Sequence, residues 1–97
     1  MTEVTLLSAA TLDLRRAVEF YSRERPGLGA EFLREFENTS EVLASHPEIG
    51  IPIRGGARKL FLKRFPYILV YRVEPTQVLI LAVAHQRRHP DVWLGRL

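Results

Sequence analysis

The chain has 97 residues, 46% of them apolar and 26% charged; one unit over residues 1–97 is expected, its radius of gyration roughly 13 Å, too small for a large cofactor in a deep cavity. It contains no cysteine, no apolar run near the roughly eighteen residues of a membrane span, and no charged-then-apolar leader after Met1-Thr2-Glu3, so disulfides and thiolate zinc are excluded and a cytoplasmic protein with no membrane partner is expected. The net charge of +3 hides a division: residues 1–50 hold five bases against nine acids, a balance of −4, and residues 51–97 hold nine bases against two acids, a balance of +7. The basic half points to an acidic or polyanionic partner, with an ordinary solvated surface as the alternative.

Val4-Thr5-Leu6-Leu7 is β-branched and apolar and is followed by Ser8. A strand over Glu3 to Leu7 is therefore expected to hand over to a helix with Ser8 as its N-cap. Leu14, Ala17, Val18 and Tyr21 recur at helical spacing and place one apolar stripe on a helix from about Ala9 to Glu24. Arg25-Pro26-Gly27-Leu28-Gly29 breaks it. A second helix follows from about Gly29 to Ser45, with Phe32, Phe36, Val42 and Leu43 expected inside, and His46-Pro47 ends it.

Three extended runs come next, about Arg58 to Arg64, Tyr67 to Glu74 and Val78 to His85, and their short connections imply an antiparallel meander. The first has no purely apolar face and reads as an edge. The other two are nearly continuous apolar runs, as inner strands covered by helices on at least one side should be. Phe61 with Phe65, and Tyr67 with Tyr71, share strand faces and read as packing residues. Pro90 and Asp91 suit the start of a short terminal helix, in which Trp93, the single tryptophan, would anchor the segment to the sheet.

Candidate chemistry is sparse. His85 and His89 stand four apart with no completing acid or cysteine, so no metal site is expected. Gly27 and Gly29 lack the following Lys-Ser or Lys-Thr of a phosphate loop and read as a turn. Arg58, Lys63, Arg64, Arg72, Arg87 and Arg88 gather around the meander and its exit, as a basic surface for a macromolecular target or an acidic partner would require, with solvated cations again the alternative.

The order strand, helix, helix, strand, strand, strand, followed by a basic arm, resembles the RelE/ParE superfamily of bacterial toxins from type II toxin–antitoxin systems. The resemblance spans Val4 to Trp93. It rests on Arg25-Pro26-Gly27-Leu28-Gly29, Phe32-Leu33, His46-Pro47-Glu48-Ile49-Gly50 and Arg54-Gly55-Gly56-Ala57-Arg58. Further on it rests on Leu62 to Arg72 and Ala82 to Pro90. It implies an α+β fold, β-α-α-β-β-β, with a helical hairpin packed on a small, mostly antiparallel sheet. It also implies a hetero-oligomer with a ParD-like antitoxin bearing an acidic C-terminal tail.

One branch of this superfamily cleaves messenger RNA on the ribosome and the ParE branch poisons DNA gyrase. Metal-free ribonuclease chemistry needs a base, an acid and fixed cations at the phosphate. The nuclease branch resembles that recipe through Tyr-Arg-Leu-Val-Tyr on a central strand, with an arginine and a tyrosine after the last strand. Here the stretch reads Tyr67-Ile68-Leu69-Val70-Tyr71, and Trp93 stands where the tyrosine would fall, while Arg87 matches the arginine. Ile68 donates no hydrogen bond and an indole is no general acid at neutral pH. The resemblance is therefore closer to the ParE branch, which implies a growth inhibitor acting on gyrase, with no catalytic residue assigned. The alternatives are a ribosome-dependent endoribonuclease using His85, Arg87 and Arg64, or a non-toxic relic that only binds antitoxin.

Overall fold

The computed structural model describes residues 2–97. Strand β1 (Glu3–Leu6) runs into helix α1 (Ser8–Glu24), which pairs with helix α2 (Leu28–Ser45). Strand β2 (Ile51–Pro52), a 3₁₀ turn (Arg54–Gly56), and strands β3 (Arg58–Phe61), β4 (Tyr67–Val73) and β5 (Gln77–His85) follow, and helix α3 (Asp91–Leu94) ends the fold. The sheet order is β1-β5-β4-β3-β2, with β1 parallel to β5 and the other pairs antiparallel. The α+β architecture is the expected one, and the Cα radius of gyration is 12.7 Å.

Several local expectations are corrected. Ser8 is the first helical residue rather than the cap: Leu7 holds the cap position, and its carbonyl accepts from the Ala10 and Thr11 N–H groups. The reason is that the Leu7 N–H still bonds the Ile80 carbonyl at 2.9 Å, so the strand ladder runs directly into the helix. The two-residue β2 was not anticipated; it pairs Ile51 with Lys59 and Pro52 with Arg58, which makes β3 an inner strand and not an edge. A strand this short with a proline in it terminates the sheet, because Pro52 has no N–H to offer another chain. β3 stops at Phe61, short of Arg64, and the chain turns so that Leu62 and Phe65 become buried.

The helical hairpin closes tightly. A Cβ on Gly29 would overlap Ser22 Oγ and stand 2.6 Å from the Val18 carbonyl, so α2 can cross α1 this closely only with glycine there. Gly27, at φ +86°, supplies the left-handed residue that reverses the chain. The inner stripe of α2 is Phe32, Phe36 and Leu43. Val42 is not part of it: one residue from Leu43, it lies about 100° round the helix and is 41% exposed.

β4 and β5 are covered on both faces, as their continuous apolar runs require. Leu69, Tyr71, Val78, Ile80 and Val83 join the cluster under the helices. Ile68, Val70, Leu81, Ala82 and Ala84 join a second cluster under the C-terminal segment, which Trp93 completes as the expected anchor. The register shifts at Val70/Tyr71, where Val70 pairs with Ala82 and Tyr71 with Ile80, leaving Leu81 as the extra residue of a β-bulge. Beyond Ile80, β5 has no β1 partner, and side chains finish its edge. Arg96 donates to the Leu81 carbonyl at 3.0 Å, while Asp13 accepts from the Val83 N–H at 3.1 Å and pairs with Arg96 at 2.6 Å.

Candidate binding surfaces

A groove of about 360 Å³ runs between α2 and β3. Its apolar surface includes Val42, Ile49 and Phe61, respectively 41%, 52% and 44% exposed, so Phe61 is not the packing residue that its pairing with Phe65 predicted. The loop carrying Ile49 is pinned from beneath. The Gly50 N–H donates to the Tyr71 hydroxyl at 2.8 Å, and a Cβ on Gly50 would stand 2.6 Å from that oxygen. Burial pushes the Tyr71 phenol up, against the opposing pull of the Gly50 bond and the Arg58 charge. Arg58 donates to the carbonyls of Glu48 and Gly50, at 3.2 and 2.8 Å.

The rim of the groove is charged. Arg64 pairs with Glu31 at 2.7 Å, its backbone N–H donates to Glu35 at 2.8 Å, and Arg25 reaches the same Glu31 at 3.3 Å. Arg34 and Lys63 line the groove without an ion-pair partner among the described residues.

The six cations singled out in the sequence do not make one patch. In the register of β3 and β4, Arg58 pairs with Tyr71, next to Arg72, whereas Phe61 pairs with Ile68. Arg58 and Arg72 therefore sit toward one end of the sheet, and Lys63, Arg64, Arg87 and Arg88 toward the other. Arg58 is committed to backbone carbonyls, and Arg72 to Glu74 at 3.4 Å and the Leu97 carbonyl at 3.0 Å. At the opposite end, the Gln86 N–H donates to the Pro66 carbonyl at 2.8 Å, which holds the turn after β5 against the β3–β4 connection. Arg87 and Arg88 are exposed there and make no ion pair among the described residues.

His85, Arg87 and Arg64, the trio of the nuclease alternative, also lie at this end, but two of them are engaged. Arg64 is held by Glu31. His85 Nδ1 accepts the Arg87 N–H at 3.0 Å, which assigns the proton of the neutral ring to Nε2 and leaves that ring no free lone pair for a base. The ring packs edge-on to Tyr67 at 5.3 Å. Ile68 and Trp93 lie in the second apolar cluster, 8% and 7% exposed. Where the nuclease resemblance would require a guanidinium and a phenol, this chain has hydrocarbon and indole packing. Among the described residues no group of three His, Asp or Glu side chains could hold a metal ion, and no helix is long and apolar enough to cross a membrane.

Sequence reasoning missed the groove. Its one visible signal was the position of Val42, off the Phe32, Phe36, Leu43 stripe.

Residues 4–90 match the family described as ParE toxin of type II toxin-antitoxin system, parDE. Among solved structures, the chain is similar to one from a chromosomal ParDE toxin–antitoxin system of P. aeruginosa. That pair has a TM-score of 0.78 and 21% identity over 88% of this chain and 96% of the other. It is also similar to a chain of the RelBE2 toxin–antitoxin complex from Mycobacterium tuberculosis, with a TM-score of 0.60 and 27% identity over 87% and 90% of the two chains. No curated protein matches it.

Proposed function

The chain belongs to the ParE toxin family of type II toxin–antitoxin systems, and from that premise we propose that it arrests growth in the cytoplasm by poisoning DNA gyrase rather than by cutting RNA. The observation that carries this reading is the chemistry around Ile68 and Trp93: Ile68 is packed among aliphatic side chains under the C-terminal segment, and Trp93 of that segment is packed into the same cluster. Neither can steady a phosphate or shuttle a proton there. At the cationic end the His85 imidazole spends its Nδ1 lone pair on the Arg87 N–H.

The antitoxin reading has separate support. The solved ParDE and RelBE2 relatives come from toxin–antitoxin systems, and an apolar groove rimmed by the unpaired Arg34 and Lys63 suits an amphipathic antitoxin segment with acidic flanks. Arg87 and Arg88, unpaired at one end of the sheet, are the residues offered to the gyrase–DNA target.

Purified protein added to gyrase and supercoiled DNA is expected to accumulate enzyme-linked DNA breaks or block supercoiling, with translated messenger RNA left intact, and co-expressed antitoxin should abolish the effect. Site-specific cuts in translated RNA, lost on His85→Ala, would establish the nuclease alternative. Expression alone without growth arrest would mark the chain as an antitoxin-binding relic.

A further inference from the structure

The end of the sheet where β4 begins and β5 finishes concentrates hydrogen-bond donors. Tyr67 and His85 are direct cross-strand partners on the helix-facing side, in edge contact at 5.3 Å. The Arg87 N–H occupies His85 Nδ1, so the neutral imidazole presents Nε2–H, a donor. The turn itself is closed by the Arg88 N–H on the His85 carbonyl at 3.0 Å and by the Gln86 N–H on the Pro66 carbonyl, so both arginines leave a fixed backbone. Neither has a carboxylate ion-paired to it among the described residues, a state they share with Arg15, Arg16, Arg23, Arg34 and Arg54 but not with Arg25, Arg58, Arg64, Arg72 and Arg96; what sets the pair apart is their place beside Tyr67 and His85. Burial and Tyr21 push the Tyr67 phenol up, and the Arg88 charge opposes that push.

We propose that this turn is a phosphate-binding site, in which His85 Nε2–H, the Tyr67 hydroxyl and the guanidinium groups of Arg87 and Arg88 hold one phosphate group. Cations on a rigid turn beside neutral donors are what a phosphate oxyanion recognises. The source favoured is a phosphodiester of the target's DNA, which rests on the reading that this end of the sheet faces the gyrase–DNA complex.

The test titrates the isotopically labelled full chain with inorganic phosphate, and separately with a short DNA duplex, while NMR follows the His85 ring nitrogens and the Tyr67 and Arg88 signals. The expected result is a Nε2–H tautomer in the free protein, with shifts at all three residues on titration. Arg88→Gln should weaken binding by about tenfold, the equivalent of one charge-assisted hydrogen bond. Tyr67→Phe, which keeps the ring packing, should weaken it less. Arg54→Gln, a charge removed from the 3₁₀ turn before β3, should leave phosphate binding unchanged. Shifts with the duplex assign the phosphate to a DNA backbone, and shifts with inorganic phosphate alone support the site with a small ligand as its source. No shift with either, a Nδ1–H tautomer, or equal weakening by Arg54→Gln overturns the proposal. Gyrase poisoning with a silent turn would sink the site and leave the function standing; phosphate binding without growth arrest would do the reverse.

Discussion

On the helix-facing side of the sheet, aromatic rings interlock: Phe32 contacts Phe65 and Tyr67 at ring separations of 5.0 and 4.9 Å, and Tyr21 stacks on Phe32 at 5.4 Å. On the opposite side the buried residues include Ala57, Ala82 and Ala84, and one large ring, Trp93, covers them. The first cluster draws side chains from both long helices and from β1, β3, β4 and β5, so no single contact closes it. The second depends on a four-residue helix and on clasps at its margin, Arg96 with Asp13 and Arg72 with the Leu97 carbonyl. A fold can thus bury both faces of one sheet yet leave one cover far easier to lift, because opening free energy follows the apolar contacts broken locally.

Three substitutions sharpen that contrast. Phe32→Ala removes a fully buried ring from the aromatic cluster and should cost about 3–5 kcal/mol, read as a large drop in the urea midpoint with all probes shifting together. Asp13→Ala leaves the Val83 N–H and the Arg96 guanidinium without their carboxylate, and should cost about 2 kcal/mol. Its distinguishing sign is local, with faster amide exchange at Val83 and in residues 91–97 while the helical hairpin keeps its protection. Equal acceleration throughout would show that the two sides open as one. Val42→Glu, on the exposed side of α2, should change stability by no more than about 0.5 kcal/mol. It should nonetheless weaken antitoxin binding, measured by calorimetry, because it places a carboxylate in the apolar groove proposed for an acidic-flanked partner. Unaltered affinity would move the antitoxin to another surface.

Much of this was legible from local pattern. The period of Leu14, Ala17, Val18 and Tyr21 located α1, and all four pack on the core as that spacing demands. The unbroken apolar runs 68–71 and 78–83 marked inner strands covered on at least one side, and the C-terminal segment supplies the second cover. Ile68 and Trp93 were legible as a hydrocarbon and an indole where the nuclease resemblance expects a guanidinium and a phenol. Other features were hidden. Val42 and Phe61 look like core residues by type, and only the placement of α2 beside β3 leaves them lining a groove. Arg58, Arg64 and Arg72 look like free cations, and only folding supplies the carbonyls and carboxylates that claim them, leaving Lys63, Arg87 and Arg88 without an ion pair among the described residues.

The order of elements, their apolar stripes and the basic second half were determined by the sequence alone, since each depends on residues a few positions apart. The parallel pairing of β1 with β5, the added β2, the groove and the division of the arginines into committed and unpaired were decided by tertiary structure. Each joins residues tens of positions apart, such as Asp13 with Arg96 or Gly50 with Tyr71, and a periodicity that repeats every two or four residues carries no record of which distant surface it will meet.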